Sequence, residues 1–208
     1  FVTSVLKDRL QQIWVGTPAG LLQYDRTTKR FNSFLPSAYS NFAGIEDYVN
    51  GLVPGPDGSV YFGAKSELFN IRKSGNNHEL RAIPLPDEVE GNSMRTIVKD
   101  DLGRIYVILR YSIYEYDPAA NAFHPVIKIE DQKKLLARGF YLSSFYIDPG
   151  GNHWVGTCSG LEFYRKKPGR AKPDPRDPVT YYHQPTDTNS LRNQNILCIA
   201  QDRYLNIW

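Results

Sequence analysis

The chain has 208 residues, 41% of them hydrophobic and 13% aromatic, and its 25 Lys and Arg against 22 Asp and Glu leave a formal net charge of +3. A balance so close to neutral, with basic residues scattered and no arginine-aromatic platform recurring, argues against nucleic acid as a partner. No run of about 18 apolar residues is present to cross a membrane, no signal-peptide pattern occurs in these residues, and two cysteines, Cys158 and Cys198, are too few for a disulfide scaffold.

Taken in chain order, apolar residues recur at strand spacing and are punctuated by Gly, Asp, Asn and Pro about every 8 to 12 residues. In the first unit, residues 1–46, Val2 to Leu6 reads as an inner strand, Gln12 to Thr17 as a second, Leu21 to Tyr24 as a third and Arg30 to Phe34 as a fourth. The same grammar covers residues 47–92, 93–139 and 140–194, and 195–208 opens a fifth unit. The turns Asp100-Asp101-Leu102-Gly103-Arg104 and Asp148-Pro149-Gly150-Gly151-Asn152 place a glycine where a tight hairpin needs positive φ. Glu130 to Arg138, the nearest thing to a helical period, is too short and polar to compete. The basic stretch Arg165 to Arg176, rich in Lys and Pro, reads as a solvated loop between the third and fourth strands of the fourth unit. Cys198 alternates with Leu197 and Ile199 in an inner strand, which predicts a buried or half-buried thiol.

The units align without gaps on Trp14, Tyr61, Tyr106, Trp154 and Trp208, which lie 47, 45, 48 and 54 residues apart. Twelve residues before each anchor stand Val2, Val49, Met94, Leu142 and Ile196, and nine before stand Val5, Leu52, Ile97, Phe145 and Ile199. Three before the anchor a turn glycine recurs as Gly58, Gly103 and Gly151, and two after it Gly16, Gly63 and Gly156 allow close sheet approach, with Ile108 the exception. A four-stranded unit of about 40 to 50 residues, repeated in tandem, is the mark of a β-propeller blade. The prediction is an all-β chain of four four-stranded antiparallel blades plus the first hairpin of a fifth, with each anchor ring packed between adjacent sheets. The chain opens at Phe1 directly on an inner strand and stops at Trp208 within a motif. This reads as a segment of a larger propeller whose exposed blade edges invite pairing with another copy.

Chemistry is sparse. His78, His124, His153 and His183 occupy unrelated positions and form no metal-binding or acid/base pattern, and no cofactor fingerprint occurs, so neither catalysis, metal nor cofactor is predicted in this segment. The recurring acids Asp8, Asp100, Asp148 and Asp202 stand six before their anchors, where they cap the hairpin turn. A ligand would meet the loops joining second to third strands and those joining an outer strand to the next inner one. There the units differ, with Lys65, Arg110, Tyr111, Cys158 and Ser159 in one set and Tyr39, Asn41, Tyr48, Asn92, Arg138 and Tyr141 in the other. Lys65, Arg110, Tyr111, Arg138 and Tyr141 are the candidate ligand contacts, because aromatic faces stack on sugar rings and basic groups pair with carboxylate or sulfate.

Two segments, Val2 through Leu21 and Asp148 through Leu161, with their Ile13-Trp14-Val15-Gly16-Thr17 and His153-Trp154-Val155-Gly156-Thr157 cores, resemble the two-component regulator propeller repeat. Thr186 to Ile196 resembles the linker that introduces a new blade in those proteins. The second and third units depart from the pattern, with tyrosine as anchor and Ala64 and Leu109 in place of the threonine, while Gln11 and Leu205 replace the turn glycine in the first and fifth. The resemblance implies the periplasmic sensor part of an inner-membrane hybrid two-component protein of the kind common in gut Bacteroidetes. Such a sensor binds oligosaccharide or other glycan fragments, is a homodimer in the full-length protein, and relays to a histidine kinase outside this chain. The alternatives are a propeller enzyme of lyase or lactonase type acting on carbohydrate, or a protein-binding scaffold. No nucleic acid or membrane contact is expected of the segment itself.

Overall fold

The computed structural model describes residues 1–34, 49–64, 67–75, 77–86, 93–129 and 139–208. Glu130 to Arg138 lies outside them, as do Tyr39, Asn41, Tyr48, Lys65 and Asn92. Among the described residues, sixteen strands form four antiparallel sheets, each in simple meander order. The first comprises β1 (Ser4–Lys7), β2 (Ile13–Thr17), β3 (Gly20–Asp25) and β4 (Arg30–Phe34), and the second β5 (Val49–Pro54), β6 (Val60–Ala64), β7 (Glu67–Ser74) and β8 (Asn77–Pro84). The third comprises β9 (Met94–Lys99), β10 (Ile105–Leu109), β11 (Ser112–Asp117) and β12 (Ala122–Lys128), and the fourth β13 (Leu142–Ile147), β14 (His153–Thr157), β15 (Gly160–Tyr164) and β16 (Pro178–Tyr181). Trp14, Tyr61, Tyr106 and Trp154 all stand on second strands. The chain divides into two compact units, Phe1–Glu88 with Ser93–Val107, and Val89–Asn92 with Ile108–Trp208.

In the first unit Trp14, on β2 of the first sheet, packs against the second sheet. Its ring shares a buried core with Leu21 of its own sheet and with Val49, Val60, Phe62 and Phe69 of the next. Phe34 and His78 lie 5.5 and 5.7 Å from its ring centre. Gly16 makes that approach possible, since a Cβ there would collide with Ser4 Oγ, its own cross-strand partner, and would lie 2.9 Å from Val49 Cγ1. The glycine two after the anchor thus receives the residue twelve before the next anchor. The same rule holds at Gly63, where a Cβ would lie 2.8 Å from Met94 Cγ. Thr3 adds a hydroxyl bond of 2.6 Å to the Val49 carbonyl. Cations reach across in the same way, Arg9 to the Pro56 carbonyl and Lys99 to that of Pro54, at 3.1 Å each.

The second unit repeats the rule at Gly156, where a Cβ would collide with Ser144 Oγ and stand 2.7 Å from Ile196 Cγ2. The Ile196 amide donates to the Thr157 carbonyl at 3.0 Å, and the Ser143 hydroxyl donates to the Ile196 carbonyl. Residues after Ile196 form a hairpin, with Ala200 and Trp208 exchanging both backbone bonds and one bridge at Gln201 and Ile207. Two expectations need correction here. Trp154 is only half-buried, flanked by Phe163 at 4.3 Å and by half-exposed Tyr181 at 6.5 Å, and Trp208 is 75% exposed, because little packs over the far side of that hairpin. Cys198 is exposed rather than buried for the same reason, and both cysteines are free thiols. The basic loop lies between β15 and β16 and is largely exposed, as expected, with Pro173 buried and Lys172 paired with Glu115 of β11 at 2.6 Å.

The turn grammar holds closely. Asp8, Asp100, Asp148 and Asp202 each accept the amide four residues on, and their second oxygens accept the anchor: Trp14 Nε1 at 2.8 Å, Trp154 Nε1 at 3.1 Å, Trp208 Nε1 at 3.0 Å and the Tyr106 hydroxyl at 3.5 Å. One carboxylate therefore closes the hairpin and orients the aromatic. The second sheet has Gly55 at that position, and Asp57 caps its turn through the Ser59 amide instead.

Candidate ligand-binding rim

Of the predicted contact residues, Arg110, Tyr111 and Tyr141 fall within the described residues, all in the second unit. The connection from β10 to β11 is the two-residue turn Arg110-Tyr111, and its backbone is fastened to neighbouring segments: the Leu142 amide donates to the Arg110 carbonyl at 2.9 Å and the Ile129 amide to that of Tyr111 at 3.1 Å. In so short a turn the two side chains diverge. Tyr111 turns inward and is fully buried, which removes it as a surface contact and corrects the expectation for that residue. Arg110 stays partly exposed, with its Nε donating to the Phe140 carbonyl at 3.2 Å and its guanidinium carbon 5.3 Å from the centre of the Tyr111 ring. The buried ring is thus a platform that holds the cation, not a face offered to a ligand.

The turn from β14 to β15 is Cys158-Ser159, braced by the Thr157 hydroxyl, which accepts the Ser159 amide and donates to the Gly160 carbonyl, both at 2.9 Å. Cys158 donates its amide to the Tyr141 carbonyl at 3.1 Å, and the Tyr141 amide lies 3.4 Å from its sulfur. The Tyr141 phenol reaches Asn195 Oδ1 at 3.2 Å. Phe140 and Tyr141 therefore link Arg110, Cys158, Ser159 and Asn195 into one hydrogen-bonded rim, with Ser159 and Asn195 exposed and Tyr141 half-exposed. Asn195 was not foreseen as part of it; the signal was its place in the linker before Ile196. The arrangement offers a fixed guanidinium, an aromatic face and two amide or hydroxyl groups, a set suited to a polar ligand with ring faces.

The remaining polar groups do not converge. His153 is buried with its ring 5.2 Å from that of Phe145, and His183 Nδ1 lies 2.6 Å from the Leu191 carbonyl. Tyr164 donates to Glu162 at 2.6 Å, and burial first, then the Glu162 charge, push its phenol far above its ordinary value. Among the described residues no three His, Cys, Asp or Glu side chains group to hold a metal ion, and no helix is long and apolar enough to cross a membrane.

No family model matches the chain, and no curated protein matches it. Solved structures do. The extracellular domain of BT4673 from B. thetaiotaomicron, described in one structure as a one-component and in another as a hybrid two-component system, superposes with a TM-score of 0.75 at 18% identity over 100% of this chain and 25% of its own. That of BT3049 from the same organism gives 0.66 at 19% identity with the same coverage. The fold is that of a β-propeller. Virginiamycin B lyase from Staphylococcus aureus shares it, with a TM-score of 0.67 at 12% identity over 100% of this chain and 62% of the lyase. The propeller segment spans a quarter of the length of the two extracellular domains it matches. Its four sheets are propeller blades, and in such blades the second-to-third-strand turns and the connections into the next blade share one rim, as the bonds joining Arg110, Tyr141, Cys158 and Asn195 require.

Proposed function

We propose that this chain is part of the periplasmic sensor of a hybrid two-component protein, that its rim binds glycan fragments, and that dimer geometry relays occupancy to a histidine kinase outside these residues. Residues 1–46, 47–92, 93–139 and 140–194 are its blades, and 195–208 begins another. The observation that carries the reading is the likeness, over the whole chain, to extracellular domains described as belonging to two such systems. The repeat motifs around Trp14 and Trp154 support it independently. Arg110 supplies a cation for carboxylate or sulfate, Tyr141 a ring face, and Asn195 and Ser159 the neutral hydrogen bonds.

Calorimetry of the chain against neutral, uronic-acid and sulfated oligosaccharides tests the reading. Binding by at least one class is expected, weakened about tenfold or more in Arg110→Ala and Tyr141→Ala. Retained affinity in both variants would move the site elsewhere, and the absence of binding by every class would remove glycan sensing by this segment. The fold is also that of a lyase, so the same samples are followed for product: turnover abolished by a single substitution would favour the enzymatic alternative.

A further inference from the structure

The rim carries positive charge that its own segments do not balance. Arg110 commits its Nε hydrogen to the Phe140 carbonyl at 3.2 Å and lies over the Tyr111 ring, which leaves the fork between its two Nη atoms. The side chain is half-exposed, and no carboxylate pairs with it among the described residues. A second cation stands on the connection that brings Asn195 to the rim. Arg192 is exposed, its guanidinium has no hydrogen bond or ion pair among the described residues, and it lies three residues before Asn195, a span of at most about 11 Å along the chain. The backbone on either side is fixed: the Leu191 carbonyl lies 2.6 Å from His183 Nδ1, and Asn193 Oδ1 accepts the Asn195 amide at 2.9 Å. Segments 110–111, 139–141, 158–159 and 191–195 hold no Asp or Glu. The loop from β15 to β16 is the contrast, since there Lys167 pairs with Asp177, Lys172 with Glu115, and Arg170 and Arg176 with Asp174.

We propose that this rim selects acidic glycan fragments, with the Nη fork of Arg110 taking one oxyanion, a uronate carboxylate or a sulfate ester, and Arg192 taking a second. This selection presupposes the glycan binding proposed for the rim and adds the class of sugar. Two parallel N–H groups match two oxygens of an oxyanion, and such charge-assisted pairs are about twice as strong as neutral hydrogen bonds. The Phe140 carbonyl and the buried Tyr111 ring already hold the guanidinium in place, so little side-chain freedom is lost when an anion arrives. A neutral sugar would take the same guanidinium out of water and return only a hydroxyl acceptor, which is a poorer exchange. Charge of one sign without carboxylates beside it also raises the local concentration of anionic ligands. Tyr141 follows Phe140 directly and its phenol reaches Asn195 Oδ1 at 3.2 Å, so its ring joins the two cation-bearing segments.

Calorimetry with matched probes tests the selection: uronic-acid and sulfated oligosaccharides of several sugars and linkages, each beside its carboxyl-reduced or desulfated neutral counterpart. The expected result is binding by at least one acidic probe, with its neutral counterpart about tenfold weaker or more, and an affinity for the acidic probe that falls as salt is raised. Whether a carboxylated or a sulfated probe binds tells the two oxyanions apart. Arg110→Lys keeps the charge but not the fork, and should weaken the acidic probe about tenfold. Arg192→Gln should weaken it about two- to fivefold, as for an exposed ion pair, and leave the neutral counterpart unchanged. Matching far-ultraviolet dichroism of parent and variants confirms that the fold is kept. A neutral counterpart bound as tightly as its acidic probe would overturn the selection while leaving glycan binding in place. No binding by any probe, acidic or neutral, would remove glycan binding and the selection with it. An Arg192→Gln variant with the parent's affinity would overturn the second contact and confine the anion to Arg110.

Discussion

At the scale of single residues, burial separates anchors that look alike in the sequence. Trp14 is enclosed by two sheets, so Trp14→Ala should cost about 3 to 5 kcal/mol. Trp154, half-exposed, should cost about 1 to 2 kcal/mol, in line with the smaller apolar area it removes from water. Urea titrations of both variants check this, and equal losses would mean that the fourth sheet is covered as well as the first. His78 packs edge-on against Trp14 and Phe34, with ring centres 5.7 and 4.7 Å away, and its Nε2 is buried without a hydrogen-bond partner. Burial first, then the charge of Lys73 paired across from it on β7, hold its imidazole below the ordinary value. The folded chain therefore resists a proton that the unfolded chain accepts. The stabilisation is complete above about pH 6.5 and is lost as the pH falls below that value. Denaturant midpoints should drop on acidification through this window in the parent and drop less in His78→Phe; parallel slopes would show that other groups set the acid limb.

At the scale of elements, the hairpin between first and second strands is one design used with different residues. Gly58, Gly103 and Gly151 have φ of 82, 84 and 78°, and Gln11 and Leu205, at the same turn position, are held at 63 and 69°. A side chain in this region costs roughly 1 to 2 kcal/mol against glycine, which gives part back in chain entropy. Gln11→Gly should therefore stabilise by about 0.5 to 1 kcal/mol, and Gly103→Ala should destabilise by about 1 kcal/mol. Nothing lies within 4 Å of a Cβ at Gly103, so that loss is backbone strain alone. Thermal melts of the two variants should move in opposite directions. Gly16 has a different task, contact rather than φ. Gly16→Ala should cost about 1 to 3 kcal/mol by overpacking, and Ser4→Gly in the same chain should recover part of it, since Ser4 Oγ is the first atom the new methyl meets. Additive losses in that double-mutant cycle would place the clash at Val49.

At the scale of the whole molecule, each sheet borrows its core from its neighbours, so damage should spread by adjacency. Phe62 is 1% exposed in the core that Trp14 and Leu21 complete from the first sheet, and its truncation to alanine should cost about 3 to 5 kcal/mol. In hydrogen exchange the loss of protection should appear in β5 to β8 and in β1 to β4 before it reaches β13 to β16. Uniform loss across all sixteen strands would mean a single cooperative unit.

What the residues alone determined is whatever repeats. Strand order, hairpin turns, anchors on second strands and the capping aspartates depend on contacts a few residues apart, and most repeats state them again, so an irregular copy such as Gln11 or Gly55 is read correctly from the others. The basic rim candidate Arg110 was singled out for the opposite reason, because its column varies from unit to unit as Pro18, Lys65, Arg110 and Cys158. Tertiary structure alone decided which way a side chain faces in a two-residue turn and which sheet faces are covered. Tyr111 and Arg110 are adjacent and equally plausible at a rim, yet one is buried beneath the other. Val2 and Val49, or Trp208 and Trp14, are equivalent in the repeat and opposite in exposure. Burial is set by what another segment of chain places against a residue, and a local pattern carries no record of that.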